Sequence, residues 1–241
     1  MTEFQKRLYE VAEQNSATSG ILRHEHLKTL EDLKLRMQKV NKELNLTAIT
    51  DDEGIILKHF VDSMAIYPYI KDAKSLIDVG CGGGFPSLVI GILAPHVSVF
   101  SVDSVTKKVN YVKESAKMLK INLDGSNRRA EELGQDNAFR EKFDIACARA
   151  VGRLNLICEL CLPLVRVGGY FIAMKSVDTD KELIEAERAI ELLGGKVSEV
   201  KKYKLTNGNE EIERSVILVK KISQTPEKYP RNNSQISKRP L

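Results

Sequence analysis

Apolar residues recur at two different spacings along this chain, and the change falls near residue 75. Before it the spacing is helical. Residues 3–14 and about 23–45 read as two amphipathic helices, and in the second Leu27, Leu30, Leu33, Met37, Val40 and Leu44 step by three or four into one stripe. A Ser-rich stretch ending at Gly20 separates the two. Thr50-Asp51-Asp52-Glu53 has the form of a capping box, which predicts a third helix running to about Met64 and ending before Pro68. The first 70 residues therefore form a helical extension.

After residue 75 short apolar runs alternate with helical segments. Strands are predicted at 75–80, 97–103, near 122–128, at 143–149 and at 170–175. Helices are predicted over PSLVIGIL, TKKVNYVKESAKML, NLICELCLPL and 179–193. Two last strands, 196–205 and 214–221, are joined by NGNEE, a link too short for a crossover, so they must run antiparallel. The expectation is an α/β fold with a mostly parallel sheet covered on both faces and closed by an antiparallel hairpin, spanning 71–222. That closing hairpin separates the methyltransferase version of a Rossmann-like sheet from the nicotinamide version.

Composition refines this. The 241 residues are 42 % hydrophobic and 29 % charged, enough to bury a core, and no run approaches the eighteen or so apolar residues of a membrane span. The start of the chain lacks a signal-peptide core, so a cytoplasmic protein is expected. Net charge is +4, yet the segment Lys220–Leu241 alone carries +5 and holds three of the seven prolines. Residues 223–241 read as a basic, poorly ordered tail, either a lure for phosphates through Lys228, Arg231, Lys238 and Arg239 or a solubilising end without a partner. Of the four cysteines, Cys158 and Cys161 form a C-x-x-C, but they sit in an apolar stretch with no second ligand pair, so buried free thiols are expected and no metal.

Candidate chemistry gathers at predicted strand ends, where an open α/β sheet binds its ligand. After the first strand comes Asp78-x-Gly80-x-Gly82-Gly83-Gly84-Phe85-Pro86, a D-x-G-x-G-x-G spacing unlike the G-x-G-x-x-G of dinucleotide binders. Glycines at 80, 82 and 84 let backbone approach a ligand closely, and an acid before the first glycine is typical of S-adenosylmethionine sites, at the methionine end. Asp103 closes the second strand and suits a ribose diol, in either an adenosylmethionine or a nicotinamide dinucleotide. Ala130-Glu131 is placed to approach an adenine, although an acid there also suits a helix start. Arg149 closes the fourth strand where the acceptor would approach, and a guanidinium there suits a phosphate or a guanine edge. Ala148-Arg149-Ala150-Val151 replaces the D/N-P-P-Y/F motif of many amino-methylating enzymes, so methylation of an exocyclic amine is disfavoured. Lys175 borders the same cleft at the end of the fifth strand. His59 and Asp62, three apart on one helix face, read as a surface hydrogen-bond pair.

In combination, Asn41-Lys42-x-x-Asn45-Leu46-Thr47, Lys58-His59-Phe60-x-Asp62-Ser63, the Ile77–Pro86 loop, Asp103-Ser104, Arg149-Ala150 and Lys228-Tyr229-Pro230-Arg231 resemble the RsmG family, also called GidB, from about residue 30 onward. The resemblance implies a class I S-adenosylmethionine-dependent methyltransferase acting on N7 of one guanine in 16S ribosomal RNA, with naked RNA or the small ribosomal subunit as partner and a monomer expected. It implies cofactor residues Gly80, Phe85, Asp103, Ser104, Ala130, Glu131 and Arg149, and it draws Asn45 and His59 toward the RNA. The chain departs from related sequences in having Val40 where a tryptophan is common, and Asn232-Asn233-Ser234-Gln235 where related tails often carry Gly-Thr-Pro. Two rival classes stand beside this reading: a Rossmann-type oxidoreductase, opposed by the glycine spacing and the hairpin, and a non-catalytic RNA-binding protein, opposed by the intact Asp78–Gly84 loop with Asp103.

Overall fold

In the computed structural model, which describes residues 1–176 and 179–241, seven strands form one sheet in the order β3-β2-β1-β4-β5-β7-β6. β1 (Ser75–Val79), β2 (Ser98–Val102), β3 (Leu123–Ser126), β4 (Phe143–Arg149) and β5 (Val165–Lys175) are parallel. β6 (Gly195–Thr206) and β7 (Glu211–Lys221) form the antiparallel hairpin, β7 inserting beside β5. The strand order reverses between β1 and β4, which places the crevice of the sheet at their carboxyl ends.

Period-2 alternation assigns the two faces. Ile77, Phe171 and Ala173 join the core under one helical layer, while their neighbours Leu76, Ile172 and Met174 join the core under the other. The first layer holds α8 (Ala130–Gln135), α9 (Leu154–Cys161), a short 3₁₀ turn at Leu162–Leu164 and α10 (Thr179–Leu192). α6 (Ser87–Leu93) and α7 (Thr106–Leu119) pack on the other side with α1 (Glu3–Gln14) and α2 (His24–Leu44). α1 and α2 bury Leu8, Leu27 and Leu30 in the same cluster as Leu88 and Val112 of α6 and α7, so the helical extension shares its core with the sheet domain. Asn15 and Gln14 also hydrogen-bond Thr206 on the hairpin, and Arg7 forks onto Glu53 at 2.7 and 2.9 Å.

Three expectations are corrected here. The third helix is capped by Asp51, whose carboxylate accepts from the Gly54 amide at 2.7 Å, while Thr50 is exposed and Glu53 is engaged by Arg7. That helix is also not uniform. It runs through α3 (Asp52–Gly54), a π-helical stretch Ile55–Val61 and α4 (Asp62–Met64), after which α5 (Tyr67–Ile70) starts again around Pro68, where a proline costs no helical hydrogen bond. The segment after residue 222 is not a loose tail: Thr225, Tyr229, Pro230 and Ile236 are buried, and Asn233–Lys238 forms α11, capped by Asn232. Basic composition hid three apolar anchors spaced too widely to read as an element.

Candidate functional site

The crevice holds a cavity of about 560 Å³, within the range of small-molecule sites. Its floor is the loop after β1. Gly82 has φ +53°, and a Cβ there would meet nothing nearer than the Gly80 carbonyl at 3.9 Å, so any side chain would enter the cavity. The Gly82 amide donates to Asp103 at 3.0 Å, and the other Asp103 oxygen accepts from the Val105 amide at 2.9 Å. The carboxylate is thereby held at the cavity edge, beside Ser104. Ala130 and Glu131, at the start of α8, line the same cavity, as do Leu156 and Leu160.

Two residues expected at the cofactor lie behind the loop instead. Asp78 is fully buried and absent from the cavity wall; one oxygen accepts from the Ser87 amide at 3.2 Å, the other has no partner, and burial raises its pKa to about 6. Gly84 is needed for packing, since a Cβ there would stand 2.4 Å from Leu88 Cδ1. Both shape the loop from beneath.

The helical extension supplies the other wall. Asn41 brackets Thr47 with two 2.9 Å hydrogen bonds, one to its amide and one to its carbonyl. Thr47 Oγ1 meets His59 Nε2 at 2.9 Å, and the His59 ring stacks on Phe85. The motif around Asn41 and Lys58-His59 thus becomes a chain of contacts ending on the cavity wall. His59 is 7 % exposed, and burial, then the positive Arg149, lower its pKa to about 4. The expected surface pair of His59 with Asp62 is overturned: both are buried, and Asp62 turns to arginines. Its two oxygens accept from Arg149 Nη1 at 3.0 Å and Arg214 Nε at 3.2 Å. Arg214 was missed in the sequence because the contact joins β7 to a residue 152 positions earlier.

Arg149 also donates to the Lys58 carbonyl at 2.9 Å, and its guanidinium lies 5.6 Å from the centre of the Phe85 ring. It lines both the cofactor-sized cavity and an adjoining pocket of about 460 Å³, in which Asp62, Arg214, Met174 and Lys175 take part. Lys175 borders that second pocket rather than the first, tied to Glu182 at 2.6 Å.

The remaining expected RNA contacts are scattered. Asn45 is the left-handed C-cap of α2, φ 50°, exposed and outside both pockets. Arg231 is bound within the fold, forked onto the buried Glu159 at 2.6–3.2 Å. Lys228, Lys238 and Arg239 are exposed. Lys108, Arg128 and Arg129, three cations outside the expected set, also line the cavity. All four cysteines are buried thiols raised by burial, and among the described residues no group of three acidic, His or Cys side chains forms a metal site. No helix of the described residues is long and apolar enough to cross a membrane.

Comparison with known proteins agrees with this geometry. Residues 26–213 match the family model GidB, rRNA small subunit methyltransferase G. A protein named ribosomal RNA small subunit methyltransferase G from Clostridium tetani is 42 % identical over 211 residues, covering 86 % of this chain and 87 % of that one. One of the same name from Acetivibrio thermocellus is 45 % identical over 207 residues, covering 85 % and 84 %. Among solved structures, a SAM-dependent methyltransferase from Methanosarcina mazei superposes with TM-score 0.50 at 15 % identity, over 66 % of this chain and 97 % of that one. The branched-chain polyamine synthase of Thermus thermophilus gives TM-score 0.54 at 10 % identity, over 73 % and 58 %. At such identities the structural matches speak for the fold alone.

Proposed function

Since the chain belongs to the rRNA small subunit methyltransferase G (GidB) family, we propose that its two adjoining pockets divide the reaction between S-adenosylmethionine and a guanine whose N7 accepts the methyl group. The protein is an S-adenosylmethionine-dependent methyltransferase of 16S ribosomal RNA, and bacterial cytoplasm is where such a substrate is met. The finer assignment rests on one observation: Arg149 lines both pockets.

The residues present fit the cofactor. Gly82 leaves open the space a Cβ would fill, and Asp103 presents a carboxylate fixed by two backbone amides. Gly80, Phe85, Ser104, Ala130 and Glu131 complete the proposed set. When bound, S-adenosylmethionine supplies an electrophilic methyl group on a sulfonium.

Guanine N7 carries an in-plane lone pair and no proton, so the protein need supply no general base, only in-line placement of N7 against the methyl carbon. The side chains agree with that. His59 stays neutral at physiological pH with its Nε2 engaged by Thr47, and guanidinium groups do not act as bases. Arg149 has Nη1 committed to Lys58 and Asp62, which fixes the fork and leaves its outer edge for guanine O6 or a phosphate. Arg214, held by the same carboxylate, adds a second donor in that pocket. A base buried in folded RNA must be presented in a loop or turned outward to reach this depth. The test is to map N7-methylguanosine in 16S ribosomal RNA incubated with the protein and S-adenosylmethionine. Methylation appearing at an exocyclic amine or a ribose would overturn the assignment.

A further inference from the structure

The C-terminal segment is seated by independent contacts. Arg140 donates to the Thr225 carbonyl at 2.6 Å and to the Tyr229 carbonyl at 2.7 Å, and Gln135 donates to the Pro230 carbonyl at 2.7 Å. Arg231 forks onto Glu159, and Ile236, 1 % exposed, sinks into the core shared with α8 and α9. That anchorage sets the orientation of α11. Asn233 and Ser237, one turn apart with Ser237 Oγ 3.4 Å from Asn233 Oδ1, both line the cofactor-sized cavity. Ala130, Leu156 and Leu160 line the same cavity, and α11 packs on α9, the helix that carries both leucines. The adjoining pocket shares His59, Arg149 and Ala150 with this cavity but includes no residue of α11.

The geometry points to α11 as an outer wall of the cofactor cleft, with Asn233 and Ser237 contacting the adenine of the bound nucleoside; this rests on the reading of the cavity as the S-adenosylmethionine site. A purine presents apolar faces and an edge of alternating donors and acceptors. Leu156 and Leu160 offer apolar surface, an amide offers both a donor and an acceptor, and a hydroxyl offers either. α11 takes no part in the adjoining pocket where the acceptor would enter, so its residues suit the half of the cofactor that takes no part in transfer. The basic end of the chain thereby has a cofactor-binding face, Asn233 and Ser237, distinct from its exposed charges, Lys238 and Arg239.

The test is calorimetric titration of the full chain, wild type and the double variant Asn233→Ala/Ser237→Ala, with S-adenosylmethionine and separately with adenosine. Both substituted side chains are outside the core, so thermal unfolding of the variant should match wild type. Affinity for both ligands should fall about tenfold, the combined effect of two neutral hydrogen bonds, while binding of 16S RNA without cofactor is unchanged. Ser237→Trp, which fills the cavity from the helix face, should lose adenosine at least as strongly. Wild-type affinity for adenosine in both variants would overturn the proposal, as would a loss confined to RNA binding. If wild-type protein bound RNA but not S-adenosylmethionine, the reading of the cavity itself would fall, and the proposal with it.

Discussion

The imidazole of His59 lies flat on the ring of Phe85, centroids 4.5 Å apart and planes 5° from parallel. The contact joins the π-helical stretch of the N-terminal extension to the glycine loop of the sheet domain. Phe85 is 4 % exposed and is also approached by Arg149, so one aromatic ring has beside it an imidazole and a guanidinium that both line the two pockets. A protonated His59 would add a second positive charge there. Burial and Arg149 both oppose that.

His59 has a folded pKa of about 4 against an ordinary 6.5, so between those values the unfolded chain binds more protons than the folded one. Its contribution to stability is therefore fully present above about pH 6.5 and is lost as pH falls toward 4. Asp78 acts with the opposite sign: its pKa rises from 3.8 to about 6, so its contribution is complete at low pH and is lost as pH climbs through 6. Urea unfolding of His59→Gln should show a flatter rise of stability between pH 4 and 6.5 than wild type, and Asp78→Asn should gain most relative to wild type above pH 6. An unchanged slope in His59→Gln would mean that the ring takes up protons equally in the folded and the unfolded chain, its pKa unshifted by folding.

Asp62 is expected to work as a positioning residue through Arg149 and Arg214. Asp62→Asn removes the carboxylate shared by the two guanidiniums and should cost about 2–3 kcal/mol of folding stability. That is below the range for a fully buried pair, because both arginines reach solvent. Single-turnover methylation of 16S RNA should slow sharply in this variant and in Arg149→Lys, which keeps charge but loses the planar fork. Affinity for S-adenosylmethionine should change far less than the rate. Equal losses in both would place Asp62 in the cofactor site instead.

How far the sequence carried depended on whether the information was local. Strand–helix alternation, the D-x-G-x-G-x-G loop and Asp103 at a strand end are short-range patterns, and the sheet and the floor of the cavity follow from them. Helical spacing gave the Leu27–Met37 stripe for the same reason. What was not legible depends on contacts across long sequence distances. His59 and Asp62 look exposed until Thr47 and Phe85 meet the one and Arg149 the other, and Arg214 is an ordinary strand position until Asp62 meets it. The charge of the last 19 residues suggested a free arm, since nothing local reveals that Glu159 waits in the core for Arg231. Asp78 shows the converse: its position in the motif is right, but whether a strand-end acid points into the crevice or under the loop is decided by the turn that follows.

The loop glycines divide by a simple comparison. Gly82→Asn tolerates the left-handed backbone that asparagine adopts more readily than other residues, and its side chain enters the cavity, so folding should be nearly unaffected and S-adenosylmethionine binding lost. Gly84→Ala forces a methyl group to within 2.4 Å of Leu88 at φ +88°, so its main effect should be on stability, of the order of 1–3 kcal/mol, the usual cost of overpacking. Thermal unfolding with and without S-adenosylmethionine separates them: Gly82→Asn should keep its midpoint but lose the ligand-induced rise. Substantial cofactor affinity in Gly82→Asn would show that the ligand does not pass over this loop.

The basic residues at the C-terminus should fall into two classes although their composition is uniform. Arg231→Ala strands a fully buried Glu159 carboxylate and should cost about 3–5 kcal/mol, or release the segment locally if that is cheaper. Replacing the pair together, as Glu159→Leu with Arg231→Met, should recover most of that loss, because the desolvated charges vanish with their partner. Lys238→Ala/Arg239→Ala removes two exposed cations and should leave stability unchanged. If those two reach RNA phosphates, affinity for 16S RNA should fall and the slope of log affinity against log salt should shrink by between one and two, about one per lost phosphate contact. Arg231 should not change that slope so long as the segment stays seated. Filter binding of RNA across a salt series, run beside urea unfolding of each variant, measures both quantities. A slope change in Arg231→Ala without loss of stability would put Arg231 on the RNA and its contact with Glu159 in a secondary role.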